Sequence, residues 1–348
     1  MKTVYVGMSG GVDSSVTAAL LKQQGYNVVG VYMKNWTKSL PGFDCPWKED
    51  YRDAKRVAVQ LDIDFKVFDF EKQYKHKVVD YMISEYQAGR TPNPDIMCNQ
   101  EVKFKLFLET ALEDGADLIA TGHYAKANDG KLYKAKDSNK DQTYFLYRVT
   151  QEALSRTLFP LGEYTKPEVR DLAKKFQLVT ATKKESMGIC FIGKVGIKEF
   201  LSQYVKTVPG SIVDESGNII GEHEGAIFYT IGQRHGLDVG GGLPYYVIDK
   251  NMIKNEVYVT TDIDDKKLWT KSLILTGTHW INPESGKNER YENLSLRSRH
   301  RAPLVNCAMD IKKQKVELSL DEEIRAATPG QSAVLYAGEQ CLGGGIIT

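Results

Sequence analysis

The segment Gly7-Met8-Ser9-Gly10-Gly11-Val12-Asp13-Ser14-Ser15 follows an apolar stretch containing Val4 and Val6 and precedes Val12, Val16, Ala19 and Leu20, which share one helical face. This spacing predicts a strand, a glycine turn and a helix that Gly25 stops. Such a loop is a phosphate cradle. Unpaired N–H groups and the positive end of the helix dipole meet the anion, and Gly10 and Gly11 admit it without a β-carbon in the way. Ser9, Ser14 and Ser15 add hydroxyl donors. A Walker A loop would end in Lys, which is missing, and the glycines do not have the spacing of a dinucleotide fingerprint.

Two other segments place sulfur in a setting for chemistry. Cys98 follows Asn93-Pro94-Asp95-Ile96-Met97 and precedes a helix predicted from about Val102 to Leu112, so the helix dipole favours its thiolate. Asp95 stands three residues before it. Cys190 lies in the glycine-containing loop Glu185-Ser186-Met187-Gly188-Ile189-Cys190-Phe191. Spacing alone favours packing over reactivity for either cysteine, because cysteine is among the most buried residue types. Five cysteines without zinc-like pairs argue against a disulfide framework or a structural metal site. Cys45, Cys307 and Cys341 have still less to suggest reactivity.

These segments need a scaffold to bring them together. At 348 residues, 42% of them hydrophobic, the chain is long enough for two or three domains with sizeable cores. No apolar run approaches the roughly 20 residues of a membrane helix, and the chain opens on a strand, so no membrane association and a cytoplasmic location are expected. A net charge of +1 neither nominates nor excludes nucleic acid. The clusters Arg297, Arg299, His300, Arg301 and Lys131, Lys134, Lys136, Lys140 read first as solvated faces.

Up to about residue 205, strands alternate with helices: Val28 to Met33, a helix from about Glu49 to Leu61, Phe65 to Phe68, a helix through Tyr81, and Leu118 to Thr121. That alternation predicts an α/β fold, a parallel sheet with helices on both faces and nucleotide at the carboxyl ends of the strands, where Gly7–Ser14, Met33 and Gly122 converge. Asp129-Gly130 predicts a hairpin beyond that sheet, and Thr165 with Pro167 and Glu168 opens a later helix. After Pro209-Gly210 only short β segments remain, which predicts two small β-rich or β-barrel domains. The expected division is 1–205, 206–275 and 276–348, with no internal repeat.

The pattern Ser-Gly-Gly-x-Asp-Ser at 9–14 resembles the pyrophosphate loop of the ATP pyrophosphatase (PP-loop) superfamily, which implies ATP and Mg²⁺, with Asp13 helping to hold the metal. Further motifs extend the likeness along the chain. They are Thr91-Pro92-Asn93-Pro94-Asp95 with Cys98 and Asn99, Ala120-Thr121-Gly122-His123-Tyr124, Lys140 to Leu146, Ser186 to Gly193, and Tyr229-Thr230-Ile231-Gly232-Gln233-Arg234. In this order the set resembles the tRNA-specific 2-thiouridylases, which replace the C2 oxygen of the wobble uridine with sulfur.

By that resemblance Gly7, Met8, Ser9, Gly10, Gly11, Val12, Asp13, Ser14, Met33 and Gly122 bind ATP, and Asn93, Pro94 and Asp95 face the target base. His123, Lys140, Asp141, Gln142, Arg299, His300 and Gln331 match positions that touch tRNA. The family usually has tyrosine at position 300 and glutamine at 302, where this chain has His300 and Ala302.

The implied chemistry adenylates the C2 oxygen, attacks C2 with a persulfide on Cys190, and uses Cys98 as the partner thiol in a transient Cys98–Cys190 disulfide. Asp95 becomes the acid or base beside the uridine. The implied partners are lysine, glutamate and glutamine tRNAs and a sulfur donor protein, either a cysteine desulfurase or a relay. Lysidine or argininosuccinate synthetases share only the first loop. An RNA-binding scaffold would leave Asp13 and both cysteines idle, and a redox protein would not need ATP.

Overall fold

The computed structural model describes residues 1–39, 45–184, 196–240, 242–287, 290–312 and 315–348. Its first strands are β1 (Thr3–Gly7), β2 (Asn27–Lys34), β3 (Asp64–Asp69) and β4 (Leu118–Ala120). The hairpin β5 (Lys126–Asn128) and β6 (Lys131–Tyr133) and the short β7 (Thr157–Leu158) follow. One parallel sheet has the order β3-β2-β1-β4-β7. The two faces of β1 feed separate cores: Tyr5 packs with Val29 and Val31, while Val4 and Val6 pack with Val28 and Val16 of the following helix. Strand order reverses at β1, so its carboxyl end opens into a crevice beside β4.

Helix α1 (Val12–Gln23) ends as expected, with Gly25 in the left-handed region at φ +85°. Next come α2 (Trp47–Gln60), then α3 (Glu71–Tyr74) and α4 (Asp80–Gln87) joined through a π-helical turn, Lys75–Val79. The helix expected from Val102 begins earlier. It opens as α5 (Pro94–Met97), continues as the π-helical stretch Cys98–Leu106 and finishes as α6 (Phe107–Glu113). Asn93 caps it, its Oδ1 accepting from the Asp95 and Ile96 N–H groups, and Pro94 supplies the preset φ of a first helical residue. Cys98 therefore lies one turn inside the helix, where the dipole has less influence than the sequence implied. The remaining helices are α7 (Thr143–Leu146), α8 (Gln151–Ser155), α9 (Lys166–Lys175) and α10 (Ile197–Leu201).

Beyond α10, β8 (Gly210–Val213), β9 (Ile219–His223), β10 (Tyr246–Asn251) and β11 (Glu256–Thr260) form a four-stranded sheet around Ile212, Val247, Val257 and Val259. The last six strands are β12 (Trp269–Trp280), β13 (Arg290–Arg297), β14 (Val305–Lys312), β15 (Lys315–Arg325), β16 (Ser332–Ala337) and β17 (Gln340–Ile347). They close into a barrel, since β12 pairs with both β15 and β17. The β5–β6 hairpin forms at Asp129-Gly130 as expected, and β6 then pairs Leu132 with Cys341 of the barrel. One apolar cluster accordingly runs from Leu132, Tyr144 and Tyr147 into Val334 and Tyr336 and reaches Ile227 of the central sheet. The barrel is packed onto the α/β domain rather than tethered to it.

Candidate active site

The glycine loop fills the crevice at the carboxyl end of β1. A β-carbon at Gly122 would lie 2.8 Å from the Ser14 nitrogen, so the turn after β4 presses its backbone against the start of α1. Gly10 has φ +73°, and a β-carbon there would collide with the Asp50 carbonyl oxygen at the start of α2. Met33 caps Gly7 in the same way, its Cε 2.9 Å from where a β-carbon would stand. The loop is braced from within: Ser14 Oγ accepts from the Ser9 N–H at 3.1 Å, and the Ser14 and Ser15 hydroxyls donate to the Gly11 carbonyl at 3.2 and 2.7 Å. Ser15 thus stiffens the turn, although its hydroxyl was expected to serve as a ligand donor.

A lysine from another element reaches the loop. Lys166 opens α9, and its Nζ donates to Asp13 Oδ1 at 2.6 Å while lying 5.7 Å from the centre of the Tyr124 ring. The Tyr124 hydroxyl donates to the same carboxylate oxygen at 3.1 Å. The Lys166 side chain is only 11% exposed against 34% for Asp13, so the carboxylate is the more open partner of the pair. A second cationic anchor stands behind Gly10, where Lys183 Nζ lies 2.9 Å from Asp50 and 2.7 Å from Asp53. Burial pulls the Lys183 pKa down, but hydrogen bonds to these carboxylates outweigh it and raise the value.

Around the Cys98 motif ion pairs and neutral bonds occur together, Lys77 Nζ lying 2.7 Å from Glu101 Oε2 of the helix that bears Cys98. Asp95 and Cys98 are three residues apart on one helix and so share a side of it. Cys98 is buried at 1% exposure. The amide of Asn99, also buried, donates to the Phe145 carbonyl at 3.1 Å, leaving Asn99 Oδ1 unpartnered among the described residues. His123 connects the two regions. It follows Gly122 at the loop, its ring sits 5.6 Å from Phe104 and 6.2 Å from Phe159, and its Nδ1 is 2.7 Å from Thr121 Oγ1. Burial, with the charge of Lys103, pushes the His123 pKa well below its usual value, so the ring is neutral. The expected persulfide residue, Cys190, lies outside the described residues.

The residues expected at the RNA surface divide. Asp141 is 2% exposed, with its carboxylate accepting from the Ala135 N–H, the Thr143 hydroxyl and Arg297. The Asp141 carboxylate is thus turned into the protein, towards the barrel. Gln142 Oε1 accepts from the Tyr124 N–H at 2.9 Å. Arg299 donates to the Ala326 carbonyl at 2.6 Å and to Thr328 Oγ1 at 2.8 Å, and Gln331 Nε2 donates to the Thr91 carbonyl at 2.7 Å.

The His300 ring packs on Phe145 with centroids 4.5 Å apart. Burial, then the charges of Arg301 and Arg297, push its pKa down to about 4. Arg297 and Arg299 thus turn inward, against the solvated face expected of that cluster, while Arg301 stays exposed. Lys140 is partly exposed near them.

A parallel α/β domain with a glycine-rich anion loop at its switch point, bearing two β domains, defines a nucleotide-binding domain of the HUP class. Residues 2–194 match the tRNA methyl transferase HUP domain, 198–261 the tRNA methyl transferase PRC-barrel domain, and 270–347 the aminomethyltransferase β-barrel domain. The tRNA-specific 2-thiouridylases MnmA of Bacillus cytotoxicus and Bacillus subtilis are 48% and 47% identical to the chain, across 99% of it and 94% of each relative. The chain belongs to the tRNA-specific 2-thiouridylase family and is an enzyme of the sulfurtransferase class. A solved 4-thiouridine synthetase–RNA complex with bound ATP is 19% identical over 58% of this chain and 50% of that one, at a TM-score of 0.39, and adds nothing to the assignment. Among the described residues no helix is long and apolar enough to cross a membrane.

Proposed function

We propose that the protein thiolates C2 of the wobble uridine in tRNA, using ATP to activate the oxygen that is replaced. The observation that supports this reading is a contact between the two motifs. Gly122 packs on the start of α1, and the next residue, His123, packs on Phe104 of the helix that bears Asp95 and Cys98.

A uridine carbonyl oxygen is a poor leaving group. Its attack on the α-phosphorus of ATP releases pyrophosphate and makes it part of AMP, which leaves readily. Negative charge building on the phosphates faces the N-terminus of α1 and the Lys166 ammonium. Asp13 fits Mg²⁺, which takes few protein carboxylates and fills its shell from phosphate and water, since the Asp13 carboxylate is the more open partner of the Lys166 pair. The metal would neutralise phosphate charge. Met33 would pack on the adenine, and Gly122 would line the same pocket.

Asn93, Pro94 and Asp95 would face the uridine, with Asp95 managing its proton. A terminal persulfide sulfur on Cys190 then attacks C2 and expels AMP. The Cys98 thiolate attacks the Cys190 sulfur, leaving 2-thiouridine and a Cys98–Cys190 disulfide that an external thiol must reduce. A loop base in the anticodon can be splayed out, so no duplex need be opened. Lysine, glutamate and glutamine tRNAs are the proposed substrates, and a cysteine desulfurase or relay protein the sulfur source, acting in the cytoplasm. Lys140, His300 and the exposed Arg301 would meet the RNA.

The test is sulfur incorporation into an unmodified glutamate tRNA transcript with ATP and a persulfide donor, followed on a mercury-containing gel and by nucleoside mass. A retarded band that requires ATP and Cys190 is expected. AMP and pyrophosphate without thiolated tRNA would move the substrate elsewhere in the superfamily.

A further inference from the structure

Thr91 is where the three parts of the molecule meet. It is 8% exposed, and its polar groups bind segments of both other domains. Its N–H donates to the Pro329 carbonyl at 2.9 Å and its carbonyl accepts from Gln331 Nε2 at 2.7 Å, both in the barrel. Its Oγ1 is 3.2 Å from Thr230 Oγ1 of the central domain. The partners are themselves fixed. Arg299 holds Ala326 and Thr328 just before Pro329, and Lys250 donates to the Tyr229 carbonyl at 2.7 Å just before Thr230. Gly330, with φ +92°, lets the barrel loop approach so closely that a β-carbon would stand 2.7 Å from the Thr91 nitrogen.

Only Pro92 separates this joint from the Asn93 cap of the helix that presents Asp95. Pro92 and Pro94 have fixed φ and restrict the residues before them, so little slack exists between Thr91 and Asn93. We propose that Thr91 is a positioning residue, the joint through which the seating of the barrel and the central domain sets where Asn93 to Asp95 stand against the target base. This rests on the thiolation reading. It also gives Gln331 and Arg299, expected at the RNA surface, a place in the same joint, so that RNA bearing on the barrel has a route through it to the base end.

The experiment compares the full-length protein with Thr91→Val, Thr230→Val, the pair, Thr91→Ser and Gly330→Ala. With ATP, a persulfide donor and a reducing thiol present, tRNA-dependent AMP formation is followed as kcat and as KM for tRNA, alongside thermal unfolding. Thr91→Val should lower kcat about tenfold, as expected when a reacting group is slightly misplaced, with KM for tRNA changed less than about twofold. Thr91→Ser should restore kcat, and the double variant should be no worse than either single one. Gly330→Ala, acting from the barrel side, should reproduce the kcat loss. Unchanged kcat, a loss carried by KM, or additive effects would overturn the inference while leaving thiolation intact. If the Thr91 variant does not fold, Thr230→Val decides by the same criteria. Wild-type protein that forms no tRNA-dependent AMP would overturn the thiolation reading and this inference with it.

Discussion

The proposed phosphate end and the proposed base end are held by different contacts. At the first, carboxylates meet lysines from distant segments, Asp13 with Lys166, and Asp50 and Asp53 with Lys183. At the second, neutral bonds hold the segment that carries Asn93 to Asp95: the Asn93 cap, the Asn99 amide on Phe145, and the hydroxyl and amide bonds converging on Thr91. Ion pairs with one open partner can exchange that partner for a charged ligand, whereas hydrogen bonds fix direction and distance. On the proposed function the first region receives charge and the second holds a geometry.

That contrast can be broken most sharply at sulfur. Cys98→Ser and Cys190→Ser should each abolish thiolation while tRNA-dependent pyrophosphate release persists for the first turnover, measured by parallel mercury gels and pyrophosphate release. Loss of pyrophosphate release in both would mean that the two ends do not act separately. Next in size, Lys166→Met should lower kcat for AMP formation about 10²–10³-fold without weakening tRNA binding, and Lys166→Arg should recover part of it.

The barrel junction gives a stability effect. Asp141→Asn leaves Arg297 unpaired where the side chains are 2% and 11% exposed, and urea titration should show a loss of about 3 kcal/mol, the low end for a broken buried pair.

His300 supplies a pH test. Its folded pKa of about 4 lies below the usual 6.5, so its neutral form favours the fold above pH 6.5 and that contribution is lost as pH falls towards 4. His300→Tyr should therefore lose less stability than the parent between pH 7 and pH 5, read from unfolding midpoints. The smallest effect is expected from Lys140→Ala, which should weaken tRNA binding a few-fold and make the salt dependence of log affinity shallower by about 0.7–0.9.

Local signals were legible in the chain and remote ones were not. The glycine loop, the Gly25 stop, the Asp129-Gly130 hairpin and the Thr165 cap each depend on a few adjacent residues, and each formed. The helix start at Pro94 was also written locally, as Asn-Pro in cap and first position, but the apolar pattern drew the expected start to Val102. Lys166 was recognisable at a helix start, yet nothing near it names Asp13, 153 residues away, as its partner. Arg297 is the same case. A cationic run reads as solvent-facing until the fold brings a buried Asp141 against it across 156 residues. Pairing of β6 with β17 and the joint at Thr91 are likewise products of packing, invisible to periodicity.

The most direct test of the account is the fate of the oxygen. A tRNA transcript carrying ¹⁸O at C2 of the wobble uridine, thiolated with ATP and a persulfide donor, should yield AMP containing one ¹⁸O atom for each 2-thiouridine formed, by mass spectrometry. Unlabelled AMP, with the heavy oxygen recovered in water, would contradict adenylation of that oxygen and with it the division of the crevice into a phosphate end and a base end.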